Sequence, residues 1–172
     1  HNTDVNHNTL SWATTSGSIP DWAQFLLNNL LLNAEFKADF ITQFAHNINF
    51  TFCPNRVDSI INFFRDRLSF EEPAHIQRWE HTNDTINYYT EGYRHSLADW
   101  NAEIDTIRLF FNNRAHYVRE DVMQKFGISD TSLLGINKVP QNGGVVLVDT
   151  FIIPDDACNL VYFNGYPVML NA

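Results

Sequence analysis

The chain has 172 residues, enough for one medium domain that buries roughly two-thirds of its unfolded surface. Hydrophobic residues make up 44 %, with fourteen Phe and four Trp, which excludes disorder over most of the length. Lys plus Arg is 11 against Asp plus Glu at 20, a formal charge of 11 − 20 = −9 with no basic run, so binding to a nucleic-acid backbone is disfavoured.

Residues 1–19, rich in Asn, Thr and Ser, read as an extended lead-in that lies across the helices. The opening HNTDVNH reads like a cut made inside a longer protein, with no signal-peptide pattern. His1, Asp4 and His7 are of metal-ligating type, but a polar terminus gives them no preorganised geometry, and a solvated tail is the better reading.

Pro20 pre-sets a helix over DWAQFLLNNLLL, with Trp22, Phe25, Leu26 and Leu30 on one face expected to be buried. Asn33 caps a second helix, AEFKADFITQFAHNINF, striped by Phe36, Phe40, Ile41, Phe44 and Ile48, and the short link predicts a helical hairpin. His46 falls beside that stripe and reads as a satisfied or solvent-facing histidine rather than a ligand. Pro54 opens a third helix in which Val57, Ile60, Ile61, Phe64 and Leu68 face a core.

The segment EEPAHIQRWEH starts a fourth helix, with acidic residues and Pro73 in its first turn. Its polar side carries His75 and Arg78, the one titratable and cationic pair worth inspecting for function, although bonds to neighbouring carboxylates or carbonyls are the commoner role. Residues 82–95 lack a period and read as a surface loop bearing Tyr88, Tyr89 and Tyr93. Asn49-Phe50-Thr51 and Asn83-Asp84-Thr85 match the glycosylation triplet, which is common by chance and carries no weight.

The longest pattern runs from Ser96 to Phe126. Leu97, Trp100, Ile104, Ile107, Phe111, Ala115, Val118 and Val122 share one helical face. Ser96 and Asp99 supply a start signal, Gly127 a stop, and Asn112-Asn113 predict a bend or a break. Beyond Gly127, short β-branched runs at 145–148, 151–153, 160–163 and 167–170 alternate with turn signals, and the chain stops in mid-strand. These strands need the helices, or a partner, to bury their faces.

The fold class expected is therefore mainly α, a bundle of about five to six helices with a short C-terminal β segment. The division expected is 1–19 lead-in, 20–128 helical domain and 129–172 β-rich tail. Cys53 and Cys158 show no metal-ligand spacing and read as small buried hydrophobes rather than a disulfide. No Walker loop, nucleophile elbow, HExxH or CxxC is present, and no carboxylate pair stands out as acid and base.

Three blocks occur in order: FKADFITQFAHNINFTFCPNRVDSII, EEPAHIQRWE, and WNAEIDTIRLFFNNRAHYVREDVMQKFGI. Together, over roughly residues 20–128, they resemble the C-terminal helical part of the CotH family, atypical bacterial protein kinases named for a spore-coat component. The run GGVVLVDTFIIP with LVYFNGYPVML is similar to the β segment that often follows. Trp100, Leu109, Phe111 and Arg114 are the family marks of the long helix, whereas Asp39 and Ala115 depart from the pattern.

The resemblance implies ATP, Mg²⁺ and phosphoryl transfer to hydroxyl groups of surface or secreted proteins. It places the nucleotide-binding Lys and the metal-binding Asp residues N-terminal to the matched blocks, so no catalytic, cofactor-binding or metal residue is carried over to this chain. The expectation is a non-catalytic support region whose partner is a kinase lobe of the same chain, at the cell surface or secreted. The alternative is a binding module that presents Tyr88, Tyr89, Tyr93 and the β tail to a glycan or protein. A small complete hydrolase is a third reading, with no convergent nucleophile and base to support it.

Overall fold

A computed structural model describes residues 4–15, 17, 20–79, 96–140, 143–153 and 155–172. Among them the chain is mainly α with a β tail: six α-helices, a π-helical turn and five short strands. The helices are α1 (Thr9–Thr14), α2 (Asp21–Leu30), α3 (Ala34–His46), α4 (Pro54–Leu68), α5 (Glu72–Trp79) and α6 (Leu97–Phe126). The strands are β1 (Thr131–Asn137), β2 (Leu147–Val148), β3 (Phe151–Ile152), β4 (Ala157–Phe163) and β5 (Leu170–Asn171).

The chain divides into two compact units, His1–Cys53 with Arg114–Ala172, and Pro54–Asn113. The expected boundaries near residues 19 and 128 are not where this division falls, because the β tail shares one core with the N-terminal helices. In the first unit Leu10, Ile41, Ala45 and Val122 from the helices are buried with Val148, Ile153, Leu160, Tyr162 and Phe163 from the tail. A two-stranded antiparallel sheet pairs β1 with β4, Leu134 opposite Leu160, and a second sheet has the order β3-β2-β5. Two-stranded ladders are marginal alone, so this apolar seam against the helices stabilises the tail.

Several local signals act as the residues predict. Asn33 accepts a hydrogen bond from the Phe36 amide at 2.9 Å and starts α3. Gly127 takes φ +65° and the Ile128 amide donates to the Met123 carbonyl at 3.0 Å, the closing bond of a Schellman end. At the start of α6 the Asp99 amide donates to Ser96 Oγ at 3.2 Å, but the carboxylate accepts from that same hydroxyl at 2.8 Å rather than from the backbone. Helix α6 is unbroken through Asn112 and Asn113, so the expected break is absent. Tertiary packing on both flanks overrides the weak propensity of the two asparagines.

Other expectations are corrected. The lead-in is not extended throughout: α1 lies inside it, capped by Asn8, whose Oδ1 accepts from the Ser11 amide at 2.7 Å. Helix α2 does not bury its apolar face. Gln24 is 9 % exposed while Trp22 and Phe25 are 73 % and 70 % exposed. Its neighbour is α1, with Asn28 Nδ2 donating to the Thr14 carbonyl at 3.3 Å, in place of the expected hairpin with α3. Strand β1 has no clear signature, since Leu133 points to solvent and Gly135 interrupts the pattern.

In the second unit, α4 and α6 are tied by Arg108, which donates to Asn62 Oδ1 at 2.6 Å and lies 3.6 Å from Asp58 Oδ1. Val57, Trp100 and Ile104 are buried there, whereas Ile60, Phe63, Phe64 and Leu68 of α4 are exposed. Only part of the expected α4 stripe is core.

Candidate functional site

The place where chemistry-bearing side chains converge is the end of α3 and the π-helical turn Asn47–Thr51, against the β2–β3 turn and β4. A π-turn widens the helix and re-aims its side chains. Here it carries Asn49 onto β4: Asn49 Nδ2 donates to the Val161 carbonyl at 2.9 Å and Asn49 Oδ1 accepts from the Val161 amide at 3.2 Å. The side chain thus takes the place of a neighbouring strand for one residue of β4. Because this amide is engaged, the Asn49 triplet does not offer a free glycosylation nitrogen.

One turn back, His46 is 1 % exposed, and its Nε2 lies 3.0 Å from Asp149 Oδ2. Phe50, Phe151 and Tyr162 surround the imidazole, with ring centroids at 6.2, 4.7 and 5.7 Å. Nδ1 is buried without a hydrogen-bond partner among the described residues. Burial lowers the His46 pKa below the ordinary histidine value, opposed by the charge and hydrogen bond of Asp149. The Tyr162 phenol is pushed up to about 12, chiefly by burial, with the Asn49 side chain acting the other way.

Asp149 makes this locus a clamp. It sits at φ +52°, a conformation that Asp tolerates better than most residues. Its amide donates to the Met169 carbonyl at 2.7 Å, its Oδ1 accepts from the Met169 amide at 2.8 Å, and its Oδ2 faces His46. One residue holds the β2–β3 turn, the approach to β5 and α3 together. Aromatic rings wall the imidazole, while the Asp149 side chain is part-exposed and holds these chain segments together.

A second set of bonds ties the N-terminal residues to α6. Arg114 donates to the Val5 carbonyl at 2.7 Å and lies 3.9 Å from Asp121, while Lys125 Nζ donates to Thr14 Oγ1 at 2.6 Å. Burial raises the Asp121 pKa, with Arg114 opposing.

Of the residues singled out from the sequence, His75 and Arg78 lie on exposed positions of α5, and the His75 amide donates to the Glu71 carbonyl within the helix. Tyr88, Tyr89 and Tyr93 lie outside the described residues, as do His1 and the Asn83 triplet. Asp4 and His7 are described, and no group of three His, Cys, Asp or Glu that would hold a metal occurs among the described residues. Cys53 and Cys158 are free thiols, the latter with its pKa raised by burial. Among the described residues no helix is long and apolar enough to cross a membrane.

Asp149 and Asn49 were not visible as functional positions, since their partners lie far away in sequence. Compared with known proteins, the chain matches no curated protein and no solved structure. A family model described as CotH kinase protein matches residues 3–118, well over half of the chain. The three ordered blocks, with Trp100, Leu109, Phe111 and Arg114, lie largely within that match, and the chain belongs to the CotH kinase family.

Proposed function

We propose that this chain is the helical support region of a CotH-like kinase, and that the nucleotide and its Mg²⁺ are held by a lobe of the same protein upstream of these residues. The observation that carries the reading is the inverted amphipathicity of α2, which turns Gln24 inward and Trp22, Phe25 and Leu26 outward. A contiguous apolar face of this kind marks an interaction site. Covering Trp22 and Phe25 would stabilise the assembly by about 1.5–3 kcal/mol each. The clamp at His46 and Asp149 and the bonds of Arg114 hold the unit that presents α2. By the same family reading, the parent protein acts at the cell surface or is secreted.

Thiol labelling tests this. With Cys53→Ser and Cys158→Ala as background, a Phe25→Cys variant of this chain should react rapidly with a maleimide, and the same variant in the complete natural protein at least about tenfold more slowly. Equal rates would remove the docking role of α2.

A second reading, a binding module, is favoured by an open groove of about 450 Å³ on the β tail, lined in part by Leu134, Tyr166, Pro167 and Val168. Saturation-transfer NMR with oligosaccharides tests it: transfer that a Tyr166→Ala variant abolishes would support it, and no transfer would remove it.

A further inference from the structure

We infer that the exposed face of α4 is a docking groove for an acidic amphipathic helix of a partner protein. The face belongs to a different helix from α2 and does not depend on the kinase reading. Arg56, Ile60, Phe63, Phe64 and Arg67 follow one another at helical spacing, and the interval from Arg56 to Arg67 is within about 20° of three whole turns, so the two guanidinium groups share one face about 16 Å apart along the axis. Along this face, beside Arg56, runs an open groove of about 560 Å³ lined by Arg56, Ser59, Ile60, Phe63 and Phe64. Ile60, Phe63 and Phe64 are 45 %, 53 % and 56 % exposed, with the two phenyl rings packed edge to face at 5.3 Å.

Charge identifies the occupant. The two carboxylates of α4 are already engaged: Asp66 accepts from Arg65 at 2.7 Å, and Asp58 lies by Arg108 at 3.6 Å. Arg56 faces no carboxylate among the described residues, and the guanidinium of Arg67 stacks only over the Phe63 ring, 5.3 Å from its centroid. In a chain with a formal charge of −9, two arginines without a carboxylate partner among the described residues bracket an apolar strip and form a positive-apolar-positive surface. Its complement is a helix with acidic residues about eleven apart and apolar residues between, laid into the groove by its apolar face. The arginines would set register and encounter rate, and Phe63 and Phe64 most of the affinity.

The test uses this chain and a fluorescein-labelled synthetic helix of about 18 residues, with two glutamates about eleven apart flanking leucines, read by fluorescence anisotropy at low salt. The Glu peptide should bind saturably, and the corresponding Lys peptide should not. Each of Arg56→Glu and Arg67→Glu should weaken the Glu peptide about fivefold. The double variant should instead bind the Lys peptide, a rescue that a misfolded protein would not give. Phe63→Ala should weaken binding about tenfold. Equal binding of the two peptides, or indifference to both charge reversals, would overturn the inference. So would sedimentation showing a dimer that Arg56→Glu dissolves, which would assign the face to a second copy. Loss of binding to phosphatidylserine vesicles in the double variant, with no peptide binding in the parent chain, would assign it to an anionic membrane.

Discussion

Asp149 combines a left-handed backbone with three polar bonds, and substitutions separate the two contributions. Asp149→Gly keeps the conformation and the backbone amide bond but loses the two side-chain contacts, to the Met169 amide and to His46, with an expected cost of about 2–3 kcal/mol by urea unfolding. Asp149→Ala adds a backbone penalty of about 1 kcal/mol. Equal costs would show that the conformation is not strained. His46 supplies a pH dependence of known sign. Its folded pKa is lowered by burial, so the unfolded chain binds the proton more readily. The stability it contributes is complete above about pH 6.5 and is lost as pH falls toward the folded pKa. The urea midpoint should therefore drop between about pH 7.5 and about pH 5.5, and His46→Gln should flatten that part of the curve. Asn49→Ala strands both backbone groups of Val161 and should cost about 1–3 kcal/mol. None of these roles was legible in the sequence. His46 read as a bland histidine beside a stripe, because the charge it meets comes from a turn about a hundred residues later.

Helix ends, by contrast, were legible because their partners are local. Asn33, Ser96 and Gly127 act within one turn of where they stand. Gly127→Ala illustrates how little else is involved. A Cβ there meets nothing within 4 Å, so the expected loss is the left-handed penalty alone, about 1 kcal/mol or about 2–4 °C in Tm for a chain of this size. Elements that depend on distant pairing were not legible. Strand β1 exists because its seven residues find β4 in register, not because TSLLGIN alternates cleanly. The face of α2 was read with the right period and the wrong sense: the spacing tells which residues lie together, and only the neighbouring α1 decides which side is covered.

At the scale of the whole molecule, the fold class and the family were both readable, the first from helical periods and the second from the order of three blocks. What sequence alone could not supply is the distribution of exposed apolar surface. Trp22 and Phe25 on α2, and Ile60 and Phe64 on α4, are exposed although the periodicity places them on faces expected to be buried. Surfaces of this kind limit solubility. Trp22→Ser with Phe25→Ser should therefore raise the concentration at which the isolated chain aggregates, seen by light scattering, with a Tm within about 2 °C of the parent. A fall in Tm of several degrees would mean that α2 is buried in solution. We propose that this region supports a kinase lobe and leaves the nucleotide to it. Isothermal titration of the chain with ATP and Mg²⁺ should give no saturable heat up to millimolar nucleotide; tight one-to-one binding would mean that the chain itself holds the nucleotide.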